Sequence, residues 1–202
     1  YDAVDDPSAF VFFGVAPCNV GLDYDWDRTP AFLGTGIWNE KPDRPLPIDK
    51  AEQVFERLGL DPVNTFRKEV NVRDFHPDRY VIPDSAWYDG PAAGVVVENR
   101  RGGSAVLRND DVEAAAIADP IRDTSSQCVA ELVTEPRVDR ARERIESVGK
   151  AVTTTEVQTR VFESIVREEY ARLDAGGTDL DALRSSIGSI VSKKLGTAGE
   201  SE

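Results

Sequence analysis

The sequence predicts an α+β fold with an extended N-terminal arm, a small antiparallel sheet and a helical C-terminal third. Residues 1–48 are rich in proline, glycine, aspartate and aromatic side chains. Residues 94–108 have the pattern of a β-hairpin, and residues 137–195 carry apolar side chains at helical spacing. Strands in the first half and helices in the last third together define this fold class.

The arm is predicted to contain one strand followed by a long irregular segment. Residues 9–15 are short, aromatic and β-branched, which is typical of a buried strand. Three prolines between residues 42 and 47 prevent a regular helix and favour an extended backbone. Long segments without regular structure usually have a function. We therefore expect the arm to be an interaction element in which Trp26 and Trp38 take part.

The next segment predicts a helix over residues 48–59. Asp49 stands where an N-cap belongs, with Glu52 three residues later as in a capping box, and Gly59 ends the helix. Its apolar stripe consists of Ala51, Val54, Phe55 and Leu58. Residues 64–82 alternate only partly, so we expect a strand or an extended segment there.

The hairpin is the clearest strand signal in the chain. Residues 94–99 and 104–108 flank the turn Arg100-Arg101-Gly102-Gly103. Beyond it, residues 110–121 predict a short helix that ends at Asp119-Pro120. Residues 127–134 alternate between two faces, which predicts a further strand.

The C-terminal region predicts three helices over residues 137–195. Thr153 with Glu156 and Thr178 with Asp181 are typical of helix N-termini. The first stripe consists of Val138, Ala141, Ile145, Val148 and Val152. Such heptad-like spacing is compatible with a core and also with packing between subunits. The domain division predicted from these features is an arm at 1–48, an α+β core at 49–135, a helical region at 136–196 and a frayed tail at 197–202.

Charge is the strongest compositional signal. Asp and Glu number 37 against 24 Lys and Arg, which gives a formal net charge of −13. Aspartate outnumbers glutamate, lysine is rare beside arginine, and methionine is absent. Such a surface repels itself in dilute buffer and is screened in molar salt, where the Debye length falls to about 3 Å.

This composition resembles that of proteins from halophiles that keep salt in the cytoplasm. An acidic mesophilic protein encoded by a GC-rich gene is the alternative. A charge of −13 ordinarily argues against nucleic-acid partners, although it argues less in a halophile, where most proteins are acidic. We expect sibling protein subunits, and an oligomer, rather than a nucleic acid or a membrane.

The remaining compositional features bear on location and cysteine chemistry. No apolar stretch approaches the roughly 18 residues of a membrane span, and no signal peptide is visible. We therefore expect a cytoplasmic or virion location, with an N-terminus that was processed, trimmed or continues upstream of Tyr1. Cys18 and Cys128 are far apart, and two unpaired thiols are expected.

Three aspartates at alternate positions, Asp23, Asp25 and Asp27, form the best candidate for a cation site. Carboxylates at this spacing begin an EF-hand loop, but Arg28 stands where that loop needs glycine, so an EF-hand is excluded. No Lys or Arg precedes Arg28, so these carboxylates are a candidate surface for calcium, magnesium or a basic partner. The ordinary interpretation is a solvated acidic loop.

Two further groups are candidates for weaker reasons. His76 is the only histidine, so a zinc site built on several histidines within one chain is excluded. Arg100 and Arg101, next to glycines, form an exposed basic hairpin tip that could contact phosphate or an acidic neighbour. An ordinary turn is the alternative for both segments.

Two hypotheses for function follow. The first is a structural or interaction subunit of a larger assembly from a halophile, such as a capsid, connector or tail component of a virion. The second is a divalent-metal-dependent enzyme that uses Asp23, Asp25 and Asp27, with Asp74 or Asp78. The first is preferred because the sequence contains no recognisable catalytic motif.

Overall fold

The computed structural model describes residues 7–22, 24–99, 103–113, 116 and 119–198. It confirms the α+β class, with small, mainly antiparallel sheets and with most helices in the C-terminal half. Contacts group the chain into two compact units. The sheet unit is Tyr1–Pro17 with Asp23–Ala114, and the helical unit is Cys18–Leu22 with Ala115–Glu202. Across the described ranges, no helix is both long enough and apolar enough to span a membrane.

The main sheet of the sheet unit is built around a central strand. Strand β1 (Phe10–Val15) pairs antiparallel with β2 (Leu33–Asn39), which also pairs with β3 (Arg44–Pro45) and, in parallel, with β4 (Asp61–Pro62). The arm was predicted to contain a single strand, and the structure adds β2 and β3. Glycine and threonine at alternate positions of β2 concealed its strand pattern.

Helix α1 (Ile48–Arg57) packs on one face of this sheet and closes a small core. Ala51 and Phe55 bury against Ile37 of β2, as the predicted stripe requires. Gly34 permits the close approach, because a Cβ there would lie 2.5 Å from the Phe55 ring. The predicted N-cap at Asp49 is wrong, since Pro47 occupies the cap position and makes no side-chain bond.

Asp49 instead helps to hold the following segment against α1. Its carboxylate lies 2.8 Å from Lys68 Nζ, which also bonds to Glu52, while the Thr65 hydroxyl donates to Glu52 at 2.7 Å. The bonds with Asp49 and then Glu52 raise the pKa of Lys68 to about 12. Residues 64–82 form neither a strand nor an α-helix and contain two 3-10 turns, at Val72–Asp74 and Pro77–Arg79.

The predicted hairpin is confirmed. Strands β5 (Gly94–Glu98) and β6 (Ser104–Arg108) pair antiparallel, with Val96 directly opposite Val106. Both valines are exposed, whereas Val95 on the other face is buried. The helix predicted over 110–121 is absent from the described residues of that stretch, where residues 110–111 form a turn.

The helical unit begins with a helix where a strand was predicted. Residues 127–134 lie in and just after α2 (Ser126–Leu132), so that prediction is wrong. Val129 and Val133 are four residues apart and both are fully buried in the helical core. In so short a segment an alternating pattern and a helical pattern select the same valines, and contact with the last helix decides between them.

Four further helices follow: α3 (Glu135–Ser147), α4 (Thr154–Glu168), α5 (Tyr170–Gly176) and α6 (Leu180–Ala198). Three helices were predicted over this region, but the second is divided at Glu169 into α4 and α5. The stripes of these helices form one core, which is one of the two uses expected for them. Its buried members are Val129, Val133, Val138, Ala141, Ile145, Val157, Val161, Ile165, Leu173, Leu183, Ile187, Ile190 and Val191. Val148 and Val152 were expected in this stripe but are exposed, because α3 ends at Ser147.

The predicted N-terminal cap is correct for α4 and wrong for α6. Thr153 caps α4, accepting a bond from the Glu156 N–H at 3.2 Å, as predicted. At α6, Asp179 takes the cap role predicted for Thr178, since its carboxylate accepts from the N–H groups of Asp181 and Ala182. The Thr178 hydroxyl donates instead to a carbonyl of the preceding chain, that of Ile121, at 2.5 Å.

Arg137 is a buried charge within the helical unit. Its guanidinium donates to the Leu132 carbonyl and, at 2.5 Å, to the Glu168 carboxylate. Glu168 also accepts a bond from the Ser164 hydroxyl, and Glu169 lies 3.6 Å from Arg137. This network ties the start of α3 to the end of α4.

Candidate interaction surface

The strongest candidate surface is the outward face of β1. Alternate side chains of this strand point in opposite directions, so Phe10 and Phe12 pack toward the core beneath α1. Val11, Phe13 and Val15 are 39%, 51% and 50% exposed. The prediction of a buried strand over 9–15 is therefore correct for one face only.

Trp38 lies on the same face as these exposed side chains. It stands directly opposite Val11 in the β1–β2 register, while Gly36 stands opposite Phe13. Cross-strand partners project from the same side of a sheet, so Trp38 flanks Val11 and the glycine leaves Phe13 uncovered by a cross-strand side chain. The residue predicted from the arm's composition thus adjoins an exposed apolar strip.

Among the described residues, the hydrogen-bond pattern leaves the outer edge of β1 open. The Leu46 N–H donates to the Ile37 carbonyl at 2.8 Å, so the backbone N–H and carbonyl of Ile37 point toward β3 and away from β1. Phe12 is opposite Ile37, and in an antiparallel ladder its N–H and carbonyl therefore point away from β2. No described strand lies on that side of β1.

The sequence patterns considered above do not predict this strip, because the feature that marks it is a lack of charged residues. Residues 7–22 contain no Asp, Glu, Lys or Arg, although charged residues make up 30% of the chain. The 16 uncharged residues in a row, together with the alternating apolar residues Val11 and Phe13, indicate such a strip. Interface centres are depleted in charge in the same way.

The acidic loop that follows is a tight turn. The Asp25 carboxylate accepts bonds from the N–H of Asp27 at 3.0 Å and of Arg28 at 3.4 Å, and it lies 2.9 Å from Arg28 Nε. Arg28 also reaches Asp89 at 3.0 Å. Asp23 lies outside the described residues. The Asp25 carboxylate therefore organises its own turn and pairs with the first basic residue of the chain.

Trp26 belongs to an aromatic cluster in the sheet unit. The Tyr24 ring lies 5.5 Å from Trp26 and 6.0 Å, edge to face, from Tyr88. The Asp25 N–H donates to the Trp87 carbonyl at 2.8 Å. The cluster and this bond join the acidic loop to the loop around residues 85–91.

The remaining predicted site residues are dispersed. Arg100 and Arg101 lie outside the described residues, and Asn99 and Gly103 on either side of residues 100–102 are joined by hydrogen bonds. His76 and Asp78 are exposed around a 3-10 turn, and Asp74 is exposed in another. In the part of the chain that the structure describes, no three Asp, Glu, Cys or His side chains converge to hold a metal ion.

Metal binding at Asp23, Asp25 and Asp27 stays a prediction, and titration tests it directly. The Asp25 carboxylate already bonds to backbone N–H groups of its own turn and pairs with Arg28. We therefore expect calcium, magnesium and manganese to give no saturable heat in high salt. We also expect a chelator to leave the unfolding midpoint unchanged. One-to-one binding that disappears in Asp25→Asn, but persists in the control Asp61→Asn, would establish the site and favour the metal-enzyme alternative.

Cys18 and Cys128 are both free thiols, as predicted. The exposed Cys128 Sγ donates to the Asp123 carboxylate at 3.1 Å. This bond is the main reason why the pKa of Cys128 is raised. The backbone N–H of Ser125 is the main reason why the pKa of Asp123 is lowered, with the thiol as the second cause.

A raised thiol pKa predicts slow alkylation of Cys128. The reactive thiolate forms only at higher pH, so near pH 8 its fraction is small. In a Cys18→Ser background, Asp123→Asn is expected to increase the rate with iodoacetamide several-fold, because the negative charge that favours the protonated thiol is removed. Asp139→Asn serves as the control. Equal rates in the two variants would show that Asp123 does not govern this thiol.

A small cavity lies beside α1, lined by Gly34, Phe55, Val63 and their neighbours. Its volume is about 10 Å³, room for at most one water molecule and far below the roughly 300 Å³ of typical small-molecule sites. No family model, no curated protein and no solved structure matches this chain.

Proposed function

We propose that this chain is a structural subunit of a larger protein assembly in a halophile, such as a capsid, connector or tail component of a virion. The observation that carries the proposal is the exposed apolar strip of Val11, Phe13 and Val15 beside Trp38. Contiguous apolar surface is typical of protein interaction sites, whereas isolated exposed apolar residues need no explanation.

Association stabilises the assembly by removing these side chains from water. Burial of apolar surface contributes roughly 25 cal/mol per Å², and a partner that covers the strip supplies that burial. Large β-branched and aromatic side chains also gain from packing across strands. A second exposed apolar pair, Val96 and Val106 on the hairpin, is 63% and 61% exposed and offers a further contact.

The charge of the chain sets the conditions for assembly. With a net charge of −13, subunits of this kind repel one another in dilute buffer. In molar salt the repulsion is screened within about 3 Å, while the apolar contribution persists. The proposal therefore expects assembly in concentrated salt and dissociation on dilution of the salt.

The test is the mass of the protein in solution, measured by light scattering in several molar potassium chloride and again in dilute buffer. We expect a multiple of the 22.2 kDa chain mass, or a stable complex with co-purifying sibling chains, in high salt only. A chain that stays monomeric there and retains no sibling protein contradicts the proposal.

A further inference from the structure

We propose that the outer edge of β1 pairs with β1 of a second copy of this chain, antiparallel, across a twofold axis beside Phe12. The inference rests on the proposed function and names one interface of the assembly. It starts from the open edge, where the backbone groups of Phe12 point away from β2. A single such strand, related to itself by a twofold axis, makes a closed and self-complementary contact.

The backbone direction restricts the register of this pair. Outward N–H and carbonyl groups at Phe10 and Phe12 allow registers that differ by two residues. The register that pairs Val11 with the exposed Phe13 of the partner subunit places Phe12 opposite Phe12 of the partner subunit in a hydrogen-bonded pair. Val11 then stands opposite Phe13 of the partner subunit in a non-hydrogen-bonded pair, with Cβ atoms about 4.5–5.5 Å apart. The exposed strips of the two copies become continuous on one face of a joined sheet.

Strand β1 is regular along this edge. The irregularity in its pairing with β2 falls at Phe13 and Gly14, opposite Gly36 and Gly34, so the extra residue is Thr35 on β2. Edge strands in monomeric proteins are usually protected by lysine, proline or a bulge of their own. The β1 sequence, Phe-Val-Phe-Phe-Gly-Val, has none of these.

Charge selects a second copy as the occupant. A basic partner would be drawn to the acidic surface that dominates the chain, rather than to its one long uncharged segment. Two copies that each carry −13 repel each other least when the contact contains no charged side chains, and residues 7–22 have none. β1 lies within that segment, so self-association costs least there.

The first experiment compares two double lysine variants that change the net charge equally. Val11→Lys with Phe13→Lys is expected to weaken dimerisation in several molar salt at least tenfold, because the two substituted positions stand opposite each other across the axis and both apolar pairs are replaced by pairs of like charges. Val72→Lys with Val81→Lys is the matched control, since these valines are 87% and 85% exposed in the same unit and belong to neither proposed contact. Circular dichroism verifies that both variants are folded.

The second experiment tests the register by disulfide formation in a Cys18→Ser, Cys128→Ser background. Chains with Val11→Cys and chains with Phe13→Cys are mixed and oxidised. We expect the mixed pair to cross-link several-fold faster than either chain alone, because only the mixed pair brings the two Cβ atoms within disulfide reach. A register shifted by two residues would give the fast cross-link to a single variant instead and would overturn the proposed axis.

The outcomes separate this inference from the proposed function. A chain that is monomeric alone, but assembles with sibling chains, refutes the β1 pair and leaves the structural role standing. A dimer that survives Val11→Lys with Phe13→Lys, and forms no cross-link, also refutes the β1 pair. A monomer that binds no sibling chain refutes both.

Discussion

Replacement of Phe55 by alanine is expected to destabilise the sheet unit by about 3–5 kcal/mol. Phe55 is 1% exposed and is the largest fully buried side chain in the chain's described part. Among the described residues its core has only two other buried members, Ile37 and Ala51, so the core depends heavily on this one side chain. The rings of Phe12 and Phe32 also lose their contact with it.

The measurement is a urea titration combined with amide hydrogen exchange of β2 and α1. Phe66→Ala is a matched control, because Phe66 belongs to the same unit and is 44% exposed. It is expected to change stability by less than about 1 kcal/mol. Equal losses in the two variants would show that Phe55 does not anchor this core.

Replacement of Glu168 by alanine is expected to destabilise the helical unit by about 3 kcal/mol, the low end of the range for breaking a buried ion pair. The loss leaves the buried guanidinium of Arg137 without its 2.5 Å partner. Glu169, at 3.6 Å from Arg137, compensates in part. Denaturant unfolding followed by exchange of the α3 and α4 amides measures the effect.

Glu163→Ala removes a carboxylate from the same helix and serves as the control. Glu163 pairs with Arg160 at 2.8 Å on the surface, so its loss is expected to cost less than about 0.5 kcal/mol. Arg137→Met combined with Glu168→Leu is expected to recover much of the stability lost in Glu168→Ala, because no unpaired buried charge remains. A small effect of Glu168→Ala would show that water already solvates Arg137.

The long helices were predictable because their sequences repeat one signal several times. In α4, Val157, Val161 and Ile165 recur at helical spacing after the capping residue Thr153, and all three are fully buried. The short elements lacked such repetition. Val129 and Val133 fit a strand or a helix equally well, and tertiary contact decided for α2.

The candidate surface was only partly predictable for a related reason. The sequence indicates Trp38 only through its place in an aromatic arm, which gives no information about strand register. The exposure of Phe13 depends on Gly36 across the ladder and on the side of the sheet that α1 covers, both of which are long-range facts. Asp25 was considered as a metal ligand because local spacing does not reveal its bonds with Arg28.

The distribution of aromatic side chains gives the protein two separate optical signals. All three tryptophans, Trp26, Trp38 and Trp87, belong to the sheet unit, whereas α2 to α6 belong to the helical unit. Intrinsic fluorescence therefore reports on one unit, and far-ultraviolet ellipticity reports mainly on the other. One denaturation experiment read by both probes reveals whether the units unfold together, since coincident transitions are the mark of a single cooperative step.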